Sequence, residues 1–124
     1  MTAPKVLVIG TGEYVTGLVH GSESTSDKGA GIIALTLFDL RERGLVSTII
    51  LAGSNGSKFP LVRSHFNQLI ANRYGIDTSF QSFPDDDQKD SNAWKTALQE
   101  LNPGDAVIIF TPDDLHYEMA HTAA

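Results

Sequence analysis

Three clusters of small and polar residues in this 124-residue chain have the types and spacing that phosphate and ribose recognition requires. Gly10-Thr11-Gly12 directly follows the apolar run Val6-Leu7-Val8-Ile9. Glycines at that spacing allow a tight turn and a close backbone approach to a pyrophosphate. The full dinucleotide fingerprint calls for a third glycine at the position of Val15; it comes instead at Gly17. The same residues also read as a plain turn ending a strand. The second cluster, Ser54-Asn55-Gly56-Ser57-Lys58, follows the run Thr48 to Ala52. An acidic residue at this place would bind the ribose hydroxyls of NAD. Here neutral donors and one cation stand instead, which suits the 2′-phosphate of NADP better, although Ser-Asn-Gly is also ordinary turn chemistry. The third cluster is Thr111-Pro112-Asp113-Asp114, with His116 one turn further on. Either aspartate would cap a following helix, and His116 would face a cleft or solvent.

Other chemistries lack their residues. The chain has no cysteine, so disulfides, thiolate nucleophiles and Cys-bound zinc are excluded. His20, His65, His116 and His121 have no metal-ligand spacing. Neither a P-loop nor a G-x-S-x-G elbow occurs. Asp85-Asp86-Asp87 reads as a solvated acidic loop rather than a cation site. The net charge of −6 and the scattered basic residues exclude a nucleic-acid surface. The apolar start is too short for a signal sequence or a membrane span, and the expected compartment is the cytoplasm.

These clusters need a scaffold, and the apolar pattern supplies one. Val6–Ile9, Thr48–Ala52 and Ala106–Phe110 are continuous apolar runs, the pattern of strands covered on both faces. Thr78–Phe83 alternates and reads as an edge strand. Helical periodicity covers Gly29 to Arg43, Lys58 to Tyr74, Ser91 to Leu101 and Asp113 to Ala123. Gly44 and Gly75 stop the first two, and Asp90 or Ser91 would cap the third. The alternation predicts one α/β domain over residues 1–124. Its architecture is a Rossmann-like doubly wound parallel sheet of about four strands with helices on both faces, incomplete against the usual six. The polar segment His20 to Gly29 reads as a long loop. The helix after it, starting near Gly29-Ala30-Gly31, would offer its N–H groups to an anion, with Ser22, Ser24 and Ser26 as hydroxyl donors; the loop reads equally as a solvated insertion.

The strings "KVLVIGTG" and "DAVIIFTPDDLHYEMA" resemble the N-terminal domain of the Gfo/Idh/MocA oxidoreductases, in particular members with an extended first loop. The resemblance covers nearly the whole chain. It implies a cofactor, NADP or NAD, with pyrophosphate held by Gly10, Thr11, Gly12, Glu13 and Tyr14. It places Ser54 and Asn55 by the adenosine ribose, where Lys58 is the cation of the same cluster, and Thr111, Pro112 and His116 on the nicotinamide side. It further implies hydride transfer on a sugar, polyol or related substrate. In such enzymes a lysine motif and a second domain complete the catalytic site. Neither is found in this sequence, so no catalytic residue is assigned and the chain alone is expected to be inactive. The alternative is a non-catalytic, nucleotide-sensing or regulatory module. The expected partners are the dinucleotide and a second copy of the chain through an unpaired Ala106–Phe110 edge, with a sugar-like substrate only if a second domain exists.

Overall fold

The computed structural model describes residues 3–10, 18–19, 22–23 and 32–109. In chain order the elements are β1 (Val6–Ile9), β2 (Leu18–Val19), β3 (Ser22–Glu23), α1 (Ile32–Glu42) and β4 (Ile49–Ala52). They continue with α2 (Phe59–Phe66), α3 (Asn72–Tyr74), β5 (Gln81–Phe83), α4 (Ala93–Leu98) and β6 (Ala106–Ile109). A 3-10 turn over Gly56–Lys58 leads into α2, and a π turn over Asn67–Ala71 carries α2 into α3.

β1, β4, β5 and β6 form one parallel sheet in the order β5-β4-β1-β6. Val6 lies opposite Ile49 on one side and Ala106 on the other, and Ile50 lies opposite Gln81. Every residue of β1 and β4 is buried, which is why both are apolar without alternation. The order also decides where the helices go. From β1 to β4 to β5 the chain steps in one direction across the sheet, and then it returns past β4 and β1 to β6. Right-handed crossovers therefore put the helices of the first two steps on one face and the helix of the return on the other.

The two cores follow that rule. Val6, Val8, Ile49 and Leu51 face Ala34, Leu37 and Phe38 of α1 and Phe59, Val62 and Phe66 of α2. Leu7, Ile9, Ile50 and Ala52 face Trp94 and Ala97 of α4. On the first face Phe66 meets Phe38 edge-on with centroids 5.3 Å apart, and Phe80 at 5.8 Å. Phe38 and Phe66 are fully buried. Their removal from water contributes about 1.5–3 kcal/mol each.

The structure corrects several expected boundaries. The strand expected over Thr78–Phe83 starts only at Gln81. The Asp77 carboxylate accepts the Ser79 backbone N–H at 2.9 Å and its hydroxyl at 3.0 Å, and the resulting turn keeps the segment before Gln81 out of the ladder. Arg41 seals that turn by donating to the Asp77 and Ser79 carbonyls at 2.8 and 2.7 Å. The third helix is shorter than Ser91 to Leu101. Asp90 does not cap it; its carboxylate accepts the Asn92 N–H in a turn ahead of the helix. Within the polar segment, Ser22–Glu23 is not loop but pairs antiparallel with Leu18–Val19. β6 is half-buried rather than enclosed, because it is an edge strand among the described residues. The expected helix Asp113–Ala123 and the helix start near Gly29 lie outside the described residues.

Candidate functional site

Strand order reverses between β1 and β6, since the chain leaves β1 toward β4 and comes back to β6 on the far side. In open parallel sheets the crevice outside the carboxyl ends at such a reversal is where ligands bind. Gly10 stands at that point. Its φ is +122°, a backbone region that L side chains rarely adopt, and its N–H donates to the Ala52 carbonyl at 2.8 Å. The first glycine after β1 is thus needed for its backbone, and its position leaves the edge of the crevice without a side chain.

Two further loops form the same edge, and backbone hydrogen bonds join them to each other. Gly53 N–H donates to the Phe83 carbonyl at 2.9 Å, Gly56 N–H to the Gln88 carbonyl at 2.8 Å, and Asp90 N–H to the Ser54 carbonyl at 2.8 Å. Asn55 and Lys89 form an antiparallel bridge between them. Gly56 is buried, and a methyl group there would collide with the Asp85 carbonyl, so only glycine allows the loop after β4 to lie against the loop after β5. A cleft of about 230 Å³ opens beneath this junction, lined in part by Phe83, Asp85, Gln88, Asp90 and Thr96. A larger groove of about 540 Å³ runs beside Asp77–Phe80 along α2, away from the strand reversal.

Within the β4 loop the polar groups divide by task. The Asn55 side-chain oxygen accepts the Ser57 N–H at 3.1 Å and the Ser57 hydroxyl at 2.7 Å, capping the 3-10 turn. Ser54 and Lys58 are exposed. Among the described residues Lys58 makes no ion pair. The neighbouring loop is acidic, with Asp85, Asp86, Asp87 and Asp90 all exposed. One of those charges is answered directly: Arg63 holds Asp86 at 2.8 Å.

Among the described residues, the two carboxylates with shifted acidity lie at the opposite, amino end of the sheet. The Ser79 N–H, then the Ser79 hydroxyl, hold Asp77 below its ordinary value, with help from Arg41 and against a push from burial. The Asn102 N–H, then the Lys5 N–H, do the same for Asp105. Both groups secure turns into strands. Among the described residues no group of three or more His, Asp or Glu side chains is placed to hold a metal ion. No helix of those residues is long and apolar enough to cross a membrane.

Of the residues singled out in the sequence, Gly10, Ser54, Asn55 and Lys58 lie at the carboxyl edge. Thr11, Gly12, Glu13, Tyr14, Thr111, Pro112 and His116 lie outside the described residues. Gly56, Asp85, Gln88 and Asp90 shape the same edge and were not singled out for it. The only hint in the sequence is the glycine of Ser54-Asn55-Gly56, which local reading assigns to a turn. Comparison of the chain with family models, with curated proteins and with solved structures finds no match.

Proposed function

We propose that this chain binds a dinucleotide across the carboxyl edge of its sheet, as the nucleotide-binding part of an oxidoreductase that resembles the Gfo/Idh/MocA enzymes. The observation that carries the reading is the strand reversal between β1 and β6 with Gly10 at its lip. The residues fit the group. Gly10 leaves the backbone open to a pyrophosphate, and the loop after β4 presents Ser54 and Lys58 outward with no carboxylate of its own. Lys58 and Ser54 would hold the adenosine end, and Asn55 would fix the loop's shape rather than contact ligand. A cation beside neutral donors favours the 2′-phosphate, so NADP is the preferred cofactor. When bound, the nicotinamide supplies a two-electron hydride carrier for a sugar-like alcohol or its oxidised form.

Calorimetric titration of the purified chain tests this. NADP is expected to bind, and more tightly than NAD. Lys58→Ala should reduce NADP affinity by about tenfold, the loss of one charge-assisted contact, and leave NAD affinity and melting temperature unchanged. Absence of binding by either nucleotide would overturn the reading. Tighter binding of NAD would overturn the preference.

A further inference from the structure

Arg63 stands on α2, away from the strand reversal, yet its side chain ties together β5 and the loop that follows it. One guanidinium nitrogen bridges both Asp86 carboxylate oxygens at 3.0 and 2.8 Å, and the other donates to the Ser82 hydroxyl at 2.7 Å. The guanidinium carbon sits 5.2 Å from the Phe80 ring centroid and 6.0 Å from that of Phe59. Isolated exposed ion pairs contribute little. This one is held in place by two aromatic faces and a third hydrogen bond, so less side-chain freedom is lost in making it. Asp86 is also the immediate neighbour of Asp85, whose carbonyl lies against Gly56, and it precedes Gln88, whose carbonyl accepts the Gly56 N–H.

We infer that Arg63 and Asp86 are positioning residues: their pair presses the β5 loop onto Gly56 and so sets the shape of the β4 loop that presents Ser54 and Lys58. The inference rests on the nucleotide reading for its ligand, but the strut itself is a property of the two loops. It gives α2, a helix with no proposed contact to nucleotide, control over the adenosine end of the site. It also explains why one carboxylate of an acidic loop next to an anion site is useful there.

The test uses the full chain, with adenosine 2′,5′-bisphosphate as the probe. By charge alone, Asp86→Asn removes a negative group near a bound anion and would tighten binding. The strut demands the opposite, a weakening of roughly two- to fivefold, the loss of one well-held exposed pair. In the same variant, amide hydrogen exchange at Gly56 and Asp90 should speed up by a similar factor, while Leu7 and Ile50 in the sheet keep their protection. Arg63→Lys keeps the charge but cannot hold Asp86 and Ser82 together, and it should loosen the same two amides. Unchanged exchange at Gly56 and Asp90 in both variants would overturn the strut, and so would tighter probe binding in Asp86→Asn. If the unsubstituted chain fails to bind the probe, the nucleotide reading falls, and the exchange arm alone decides the strut.

Discussion

The centre of the sheet and its carboxyl rim are held together in opposite ways. β1 and β4 are held by burial: all their residues are enclosed, with α1 and α2 on one face and α4 on the other. The rim is held by direction: Gly56 to Gln88, Asp90 to Ser54, and Arg63 to Asp86. Burial is non-directional and shared among many side chains, so the centre tolerates changes of shape that preserve volume. The rim has few groups, each with one geometry, and the proposed binding residues stand on it. Stability is therefore concentrated where no ligand is proposed to bind, and specificity where stability is thin.

The largest effect should come from breaking the centre. Phe66→Ala removes the ring that joins Phe38 and Phe80, and about 3–5 kcal/mol of unfolding free energy should go with it, read from urea midpoints. A loss below about 1 kcal/mol would mean that the aromatic cluster is not the keystone of that face. A smaller change sharpens the contrast. Gly56→Ala forces the two loops apart and should cost about 1–3 kcal/mol, while the affinity for NADP falls by a larger factor than Phe66→Ala produces under folding conditions. Equal effects of the two variants on affinity would erase the distinction between centre and rim.

The smallest effect is on pH. Asp77 and Asp105 both have folded pKa values below the ordinary 3.8. Such groups stabilise the fold above the unfolded value, and that contribution disappears as pH falls through the folded value. Stability should therefore be flat for these groups from neutrality down to about pH 5, and decline below about pH 4. Asp77→Asn with Asp105→Asn should flatten the acid limb measured by urea unfolding. Since both lie at the amino end, the variant should leave nucleotide affinity unaltered.

The centre was legible in the sequence for the same reason that it is robust. A strand covered on both faces must be apolar throughout, and Val6–Ile9 and Ile49–Ala52 say so in their residue types. Helical periodicity reports a buried face, and Gly44 and Gly75 mark where α1 and α3 end. The alternation of those elements predicts a parallel sheet with right-handed crossovers, but the strand order β5-β4-β1-β6 is visible only in the structure. The rim was not legible, because its contacts are between backbone groups distant in sequence and leave no period. Asn55 reads as turn chemistry and is that, a cap on Ser57. Gly56 reads as the same turn, but the need for a glycine there comes from Asp85, far along the chain. Asp77 shortened β5 through a side-chain turn that the alternating pattern of Thr78–Phe83 conceals. Of the candidate residues, Gly10, Ser54, Asn55 and Lys58 could be found by their position after a strand, which topology alone supplies.

The placement of β1 has a consequence for synthesis. It is one of the two inner strands of the sheet and is translated before both of its neighbours. Its partner β4 follows an intervening helix, and its other partner, β6, begins beside Asp105, whose carboxylate accepts the N–H of Lys5 from 100 residues away. At ordinary translation rates that separation is roughly 5–20 s of elongation. For the first part of this time the apolar tetrapeptide of β1 has neither neighbour, and once β4 is made it still lacks β6 on its other side. Local contacts cannot protect it, because none of its sheet partners is local. The nascent chain therefore has its most sequence-legible element waiting longest for company, and β1 is the natural segment for a chaperone to hold.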